Sequence, residues 1–364
     1  MRMRPASIRL ATTCARRLVA AVIAVAAINA ASAQGTISLL MGDVVASETG
    51  TPLGHSMVTV LGLERQTFTS EAGVFSFAAL GPGRYRIRVT HIGYTPVESI
   101  VDVPAGAPPA RLRIELTRIT VQLGTVQVIA GTPTCTRPGR PNPDVDPEFA
   151  AIINQLRLNA EHFQLLSDSF PFKYKVEQKF QSMRSDSSLV DPRTETVAFR
   201  SDLHGWEYKI GEVVEVTHDG KTLMHLPTLR DFASYDFLNS HCFRYSGVDY
   251  SDDGPLVHIA FAADVQIKNP DVNGDVYLDA RTYQIRRAEL QLTKIPPGIP
   301  QVTAVRVTTT FGEISPSIVV VRDVHGITSL ARSARSTAIA MTEDQHSFAF
   351  EWLRDDPAQP FVRP

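Results

Sequence analysis

Most of the chain alternates apolar and polar residues with the two-residue period of half-buried β-strands. Over residues 35–131, short runs of this kind are separated by Gly, Pro, Asn or Asp turns about every ten residues, a spacing typical of a β-sandwich. Successive side chains of a strand point to opposite faces, so this alternation assigns a core face and a solvent face. The residues predicted to be buried are Phe75, Phe77, Tyr85 and Ile87, and those predicted to be exposed are Arg84, Arg86 and Arg88.

One helix interrupts the β pattern. Residues 132–145 contain four prolines and are predicted to be a linker. Asp146 is a good N-cap, and Pro147 suits the first helical position. Apolar residues then follow helical spacing as far as about Leu166, which predicts a helix with one apolar face.

After Pro171 the alternation returns and continues almost to the end. The segments predicted to be strands are 172–180, 206–210, 256–267, 276–292, 305–311 and 318–321. Residues 214–226 are predicted to form a hairpin around Asp219-Gly220, and Asn273-Gly274 to form a type I′ turn between two longer strands. A long meander with one helix predicts a curved antiparallel sheet that wraps the helix.

The first 33 residues have the pattern of a cleaved export signal. Five arginines and no acidic residue accompany an apolar run over residues 18–28, and Ala31-Ser32-Ala33 has the small-x-small pattern of a cleavage site. We therefore predict cleavage between Ala33 and Gln34 and localisation in the periplasm or at the outer membrane. The apolar run is far shorter than the ~20 residues that span a bilayer, and no later segment of the mature chain qualifies as a transmembrane helix.

Charge argues against one class of partner. Without residues 1–33 the chain keeps 31 Lys and Arg against 38 Asp and Glu, a net charge of −7. Nucleic-acid phosphates are bound by clustered Lys and Arg, so we expect no nucleic-acid partner. The remaining length is sufficient for two domains, each with its own core.

Three segments of the sandwich region carry a family resemblance. They read G-D-V-V-A-S-E-T-G-T-P-L-G-H-S-M-V-T-V at 42–60, T-S-E-A-G-V-F-S-F at 69–77 and L-G-P-G-R-Y-R-I-R-V-T-H-I-G-Y-T-P at 80–96. This order resembles the carboxypeptidase regulatory-like domain. The resemblance implies a seven-stranded, transthyretin-like sandwich, often classed with carbohydrate-binding-like folds. Such domains occur as non-catalytic modules on many secreted and outer-membrane proteins, so the resemblance implies a fold and no activity.

The second half carries a looser resemblance. Its predicted architecture is similar to the half-barrel of periplasmic lipoprotein carriers, and residues 237–243, 259–261 and 274–290 resemble a domain that often follows this sandwich in uncharacterised envelope proteins. The expected organisation is a signal peptide at 1–33, the sandwich at 34–131, a linker at 132–145 and a helix plus antiparallel β domain at 146–364. The predicted fold class is therefore mostly β, a seven-stranded sandwich followed by a curved antiparallel sheet with one packed helix.

Two short patterns suggest metal chemistry. His204 and Glu207 match H-x-x-E, and His325 lies downstream, but a zinc peptidase of this type needs a large α/β domain that the pattern does not predict. The residues that suggest a calcium loop are Asp271, Asn273, Asp275 and Asp279. A helix–loop–helix calcium loop has glycine at position six, whereas Gly274 stands at position four, so the turn is favoured. We predict no metal, no cofactor and no catalytic residue.

Aromatic and cysteine residues supply the remaining candidates. Trp206, Tyr208, Tyr235 and Tyr245 form a candidate binding surface, although aromatic residues on strands more often belong to a core. Removal of the signal, which contains Cys14, leaves Cys135 and Cys242. An even cysteine count in an oxidising compartment predicts a disulfide between them.

These features favour a non-catalytic, exported envelope protein that acts in binding or assembly. Its ligand could be a carbohydrate, a lipid or a peptide, and its partner an envelope protein. One alternative is an accessory or structural partner of an outer-membrane transporter, and a third is a zinc-dependent hydrolase. An apolar cavity under the curved sheet would favour a lipid ligand. An exposed strip of aromatic side chains would favour a glycan, and an unpaired edge strand of the sandwich would favour a protein partner.

Overall fold

The structure is a computed structural model that describes residues 38–63, 65–104, 110–120, 134–203, 205–218, 222–251, 254–315, 318–332 and 337–353. The described residues are mostly β, with one main helix, and the predicted fold class is confirmed. The predicted cleavage site at Ala33 and Gln34 lies outside the described residues, as does His204.

The first seven strands form two facing sheets, in the orders β4-β1-β7 and β3-β2-β5-β6. The strands are β1 Ser38–Ala46, β2 Met57–Val60, β3 Arg65–Phe68, β4 Val74–Leu80, β5 Gly83–Thr90, β6 Val97–Val103 and β7 Ala110–Leu116. Only the β1–β7 pair is parallel.

The core of this sandwich follows the alternation of its strands. Phe75, Phe77 and Ile87 are 2%, 3% and 0% exposed, as predicted. Tyr85 is half-buried, and its hydroxyl donates to the carbonyl of Gly81 at 2.8 Å. The three arginines of β5 are exposed and face the acidic side chains of β6, where Arg88 lies 3.3 Å from Glu98. The predicted solvent face is therefore confirmed, and the predicted core face is confirmed at Phe75, Phe77 and Ile87, whereas Tyr85 is only half-buried.

Helix α1, Pro147–Ser169, begins where the sequence predicts. The Asp146 carboxylate caps it by accepting the Phe149 amide at 3.0 Å. Its buried face includes Ile152, Ile153 and Leu156. No helix among the described residues is long and apolar enough to cross a membrane.

The second half is built on one nine-stranded antiparallel sheet in the order β12-β13-β14-β15-β16-β17-β18-β8-β9. Its strands are β8 Phe172–Arg184, β9 Leu189–Arg200, β12 His241–Ser251, β13 Gly254–Ala263, β14 Val272–Asp279, β15 Ile285–Leu292, β16 Val302–Ser315, β17 Ile318–Leu330 and β18 Ala338–Trp352. A separate hairpin consists of β10 Val214–Val216 and β11 Thr222–Met224, and helix α2 is Tyr235–Ser240. The predicted hairpin is therefore present, with the residues of its turn outside the described part.

The predicted turn at Asn273-Gly274 is wrong, because both residues lie inside β14. The connection between β13 and β14 is residues 264–271. Gly274 is required for close packing: a Cβ there would lie 2.1 Å from the Glu289 carbonyl oxygen and 2.8 Å from the Phe261 ring. From sequence alone, a glycine that lies in a strand beneath an aromatic ring cannot be distinguished from a glycine in a turn.

The predicted strand at 206–210 is also wrong, because this segment has no regular structure. The Tyr208 amide donates to the Asp231 carboxylate at 2.8 Å instead of to a neighbouring strand. The apolar–polar alternation of the segment therefore reflects side chains packed on the core from an irregular loop.

The disulfide between Cys135 and Cys242 is present, with Cα atoms 5.4 Å apart. Gly139 forms a parallel bridge with Cys242, and Cys135 forms another with Asp264. The segment before α1 is thus attached to the β12 end of the large sheet.

Candidate functional site

The inner face of the nine-stranded sheet is filled along only part of its width. Around β13, β14 and β15, helix α1, helix α2 and the segment 201–236 pack against the sheet in a continuous apolar core. Towards β16, β17, β18, β8 and β9, two cavities of about 930 Å³ and about 310 Å³ remain. These cavities are the candidate functional site.

The larger cavity has an aromatic wall. The Tyr174 ring stacks between the rings of Phe199 and Phe350, with centroids 5.7 Å and 5.6 Å away. On the opposite side, the Trp206 indole stacks on the His225 ring at 5.0 Å. Both ring clusters line the cavity.

Charged side chains of the larger cavity already have partners in the protein. Arg200 makes two hydrogen bonds to the Asp202 carboxylate, at 3.0 Å and 2.7 Å. Arg230 donates to the Asp168 carboxylate at 3.1 Å. These two arginines are therefore neutralised locally, and the carboxylates of Glu207 and Asp236 also line the cavity.

The smaller cavity is lined mostly by aliphatic side chains and methionine, with Phe180, Gly326, three threonines and Glu343 as its other lining residues. Its apolar lining residues include Val214, Met224, Leu226, Leu292, Ile299, Val302, Val305, Val307 and Met341. The carboxylate in its lining, Glu343, accepts a hydrogen bond from Gln345 at 2.7 Å. Met224 and Leu226 line both cavities, so the two cavities are adjacent at the end of β11.

The structure brings three of the four predicted aromatic residues together. Trp206, Tyr208 and Tyr235 line the larger cavity. Tyr245 lies on β12, packs against the core and does not line this cavity. Their exposure differs widely, because Tyr208 is 4% exposed and Tyr235 is 75% exposed.

Tyr208 belongs to a buried polar network that sequence reasoning missed. Its hydroxyl donates to the Asp271 carboxylate at 2.8 Å, and burial together with that carboxylate raises the pKa of Tyr208. Asp271 also accepts the amides of Gly211 and Val272, at 2.9 Å and 2.8 Å. The network therefore anchors the irregular segment over the core.

The same network contains a serine, a histidine and an aspartate. Ser240 Oγ lies 3.1 Å from His241 Nδ1, and His241 Nε2 lies 3.7 Å from the Asp271 carboxylate. Their exposures are 4%, 0% and 0%, so a substrate cannot reach the hydroxyl in this arrangement. Burial lowers the pKa of His241. No sequence spacing signals this group, because Asp271 is distant in the chain.

The residues considered for metal binding lie apart. Glu207 is exposed at the larger cavity, whereas His325 lies on β17 with its Nδ1 2.5 Å from the Asp344 carboxylate. Asp275 contacts His258 at 2.7 Å, and Asp279 accepts two turn amides, so the suggested calcium ligands have separate protein partners. Within the described ranges, no group of three or more His, Cys, Asp or Glu is placed to hold a metal ion.

Comparisons with solved structures give low overall similarity. A putative outer membrane lipoprotein-sorting protein domain from Vibrio parahaemolyticus has 8% identity and a TM-score of 0.32, over 56% of this chain and 91% of that one. A LolA superfamily protein from Nitrosomonas europaea has 10% identity and a TM-score of 0.28, over 58% and 97%. A cohesin–X-dockerin complex chain from Acetivibrio cellulolyticus has 17% identity and a TM-score of 0.18; the match covers 22% of this chain and only 56% of that one.

Comparison with curated proteins finds no match. One family model does match, over residues 40–117, and its description is carboxypeptidase regulatory-like domain. The match falls inside the segment for which the resemblance was predicted and includes β1 to β7 almost entirely. Residues 40–117 are therefore identified as a carboxypeptidase regulatory-like domain.

Proposed function

We propose that this protein is a non-catalytic, exported protein of the cell envelope that binds the apolar chain of a lipid beneath its curved sheet. The observation that carries the proposal is the mostly aliphatic cavity of about 310 Å³, which shares Met224 and Leu226 in its lining with the larger aromatic cavity. An apolar tail would occupy the smaller cavity, and the rest of the molecule would lie in the larger one.

Burial of hydrocarbon supplies the affinity in this arrangement. Each buried methylene contributes about 0.8 kcal/mol, so a tail of several methylenes gains several kcal/mol before the entropic cost of binding. Val305 and Val307 on the sheet and Val214 on the hairpin face this space from opposite sides. A polar ligand would gain few hydrogen bonds from such walls.

A glycan fits the same site less well. Sugars stack on open aromatic faces, but Tyr174 is covered on both sides by Phe199 and Phe350, and Trp206 is covered on one side by His225. Tyr235 presents most of its ring to solvent. The aromatic side chains therefore form a wall of the cavity more than an open strip.

A second candidate, a protein partner, is favoured by one observation on β9. This strand of 12 residues ends the large sheet, and nearly all of its side chains are exposed. Strands of this kind accept an added strand from another chain. A variant that weakens an edge contact without changing lipid affinity would separate the two candidates.

Titration of the mature chain with a solvatochromic fatty-acid probe tests the lipid proposal. Thr328 lines the smaller cavity, so Thr328→Trp should fill it and weaken probe binding at least about tenfold, the change that 1.4 kcal/mol produces. Thr308→Trp is the matched control, because Thr308 pairs with exposed His325 and lies on the outer face of the sheet. Absence of probe binding by the wild type, or equal losses in both variants, would contradict the proposal.

A separate experiment tests the proposal that the protein is non-catalytic. We expect His204→Ala and Glu207→Ala together to abolish no hydrolytic activity and to remove no bound metal. Stoichiometric zinc in the wild type that disappears with both substitutions would favour the hydrolase instead.

A further inference from the structure

Three histidines meet where the sandwich contacts helix α1. His55 and His91 belong to the sandwich, and His162 belongs to the helix. His162 Nε2 lies 2.5 Å from the carbonyl oxygen of His55, and the His162 ring packs edge-on against Phe68 with centroids 4.6 Å apart. His55 and His162 are only 2% and 7% exposed and His91 is half-buried, so the contact between the halves contains two buried imidazoles and one half-buried imidazole.

Other polar contacts also join the halves at this place. The Gly93 amide donates to Gln155 Oε1 on α1 at 2.6 Å. Gly93 has φ +86°, and a Cβ there would lie 3.0 Å from the Thr282 carbonyl oxygen, so glycine permits this close approach. Arg118 donates to the carbonyl of Arg281 at 3.1 Å. The histidines are therefore a large part of the polar joint.

The joint also has an apolar part. Met57 and Phe68 of the sandwich pack with Leu166, Phe170 and Phe172 of the second half. By contrast, each half has a much larger apolar core of its own. Ile92 of the sandwich is 8% exposed and belongs to the core of the second half, so opening of the joint would expose this side chain together with Met57 and Phe68.

The hydrogen bonds at the joint require only one N–H from each imidazole. A carbonyl only accepts, so His162 donates its Nε2–H to His55 and keeps a lone pair on Nδ1. Ser56 donates its hydroxyl to the Leu53 carbonyl at 3.0 Å, so His91 Nδ1, 3.0 Å from Ser56 Oγ, acts as the donor. Neither bond requires the charged form of the histidine.

Other titratable and charged groups face the histidines across a cavity of about 540 Å³ between the halves. From the sandwich side they are Glu71, Tyr94 and Arg118, and from the large sheet they are Arg281 and Glu313. The two arginines oppose a positive imidazolium and the two glutamates favour it. Both glutamates are solvent-exposed, so water screens their attraction.

These surroundings disfavour protonation in the closed joint. Burial lowers the pKa of His91 to about 3, with further repulsion from His162, His55 and Arg118. Burial also lowers the pKa of His162 to about 4; repulsion from His55 adds to this and the hydrogen bond to the His55 carbonyl opposes it. A histidine in water has a pKa of about 6.5.

We propose that the histidine joint is an acid-released latch: protonation of His91 and His162 separates the sandwich from helix α1 while both halves stay folded. The device goes beyond ligand binding, because it regulates the contact between the two halves. The open joint binds more protons than the closed one below about pH 6.5, so the free energy of opening falls as the pH falls through that value. Above about pH 7 the joint is insensitive to pH.

The size of the effect follows from the same linkage. At pH 5, each histidine that is neutral when closed and free to titrate when open raises the opening equilibrium constant by about 30-fold. Small-angle X-ray scattering of the full chain from pH 7.5 to 4.5 should show an increase in the maximum dimension. A far-ultraviolet circular dichroism spectrum that stays unchanged over this range reports that both halves stay folded.

The critical test is a variant in which the two histidines are replaced by residues that do not titrate. We expect the double variant His91→Asn, His162→Gln to stay closed at pH 5, since amides retain an N–H donor and gain no charge. His346→Asn is the control, because His346 is 52% exposed, pairs with Asp323 and lies far from the joint on β18. The control should open like the wild type.

A single variant keeps the proposal testable if the double variant is already open at neutral pH. His162→Gln alone should lower the opening constant at pH 5 by about 30-fold relative to the wild type and reduce proton uptake on opening from about two to about one. A wild type that stays closed to pH 4.5, equal opening in His162→Gln, or loss of the folded far-ultraviolet circular dichroism spectrum together with opening would each overturn the latch.

Discussion

The sandwich and the nine-stranded sheet use the same alternation of apolar and polar residues but bury their inner faces differently. In the sandwich, two sheets face each other, and Leu40, Val44 and Leu116 are fully buried between them. In the large sheet, helix α1 and the segment 201–236 cover the inner face around β13 to β15 and leave two cavities towards β8 and β18.

The difference shows that alternation determines which face is apolar but not what fills the space above it. A sheet facing another sheet of similar width can complete its core with its own side chains. One helix is about 10–12 Å wide, so it cannot cover nine strands spaced by about 4.8 Å. Uncovered apolar surface then becomes available to a ligand. The comparison predicts that substitutions in the sandwich affect stability, whereas substitutions at the cavities affect binding.

Reduction of the disulfide should have the largest effect and should act on the second half alone. Cys135 and Cys242 are separated by 107 residues, a loop for which chain entropy predicts up to about 4–5 kcal/mol of stabilisation. Urea unfolding with and without reductant should therefore shift the transition of the second half and leave that of the sandwich unchanged. Two free thiols in the unfolded, unreduced protein would disprove the bond.

A large-to-small substitution in the sandwich should have the next largest effect. Phe77 is 3% exposed and packs edge-on with Phe75, so Phe77→Ala should cost about 3–5 kcal/mol of unfolding free energy. Lipid-probe affinity should stay unchanged while the variant remains folded. A cost below about 1 kcal/mol, the scale of a surface substitution, would mean that the sandwich core is assigned incorrectly.

Matched leucines compare the two regions directly. Leu40 is 0% exposed in the sandwich, so Leu40→Ala should cost about 2–5 kcal/mol. Leu226 is only partly buried because it borders both cavities, and Leu226→Ala should cost about 1 kcal/mol. Probe binding should weaken only in the Leu226 variant. Equal stability losses would contradict the contrast between a filled and an unfilled face.

The smallest effect is expected on the solvent face of the sandwich. Arg86 lies 3.9 Å from Glu98, and both side chains are exposed. Such pairs contribute little, so Arg86→Ala should change the free energy of unfolding by no more than about 0.5 kcal/mol. A larger loss measured by urea unfolding would show that the arginine face is covered by something other than solvent.

Local signals predicted the elements well where one physical cause dominates. Asp146 and Pro147 marked the start of α1 because capping and a preset φ depend only on neighbouring residues. The predicted turn at Asn273-Gly274 was wrong because the glycine is required by the nearby Phe261 ring, which belongs to another strand. The predicted strand at 206–210 was wrong because the Tyr208 amide donates to the carboxylate of Asp231, which is distant in sequence, and not to a neighbouring strand.

The candidate site was predicted less completely than the fold. Trp206, Tyr208 and Tyr235 do share a cavity, but their aromatic character did not show that Tyr208 is buried on Asp271 while Tyr235 faces solvent. The aliphatic cavity was not predicted at all. Val305 and Val307 have the same alternation as core valines, and nothing in sequence distinguishes a lining residue from a packed one.

The sequence by itself determined the strand faces of the sandwich, the position of the main helix and the cysteine pair available for a disulfide. These depend on the period of side chains along a strand, on local capping and on residue count. Only the tertiary structure decided where apolar surface stays uncovered and that His55, His91 and His162 meet at one joint. The physical reason is that cavities and buried clusters arise from contacts between elements far apart in the chain, whose relative positions no local pattern encodes.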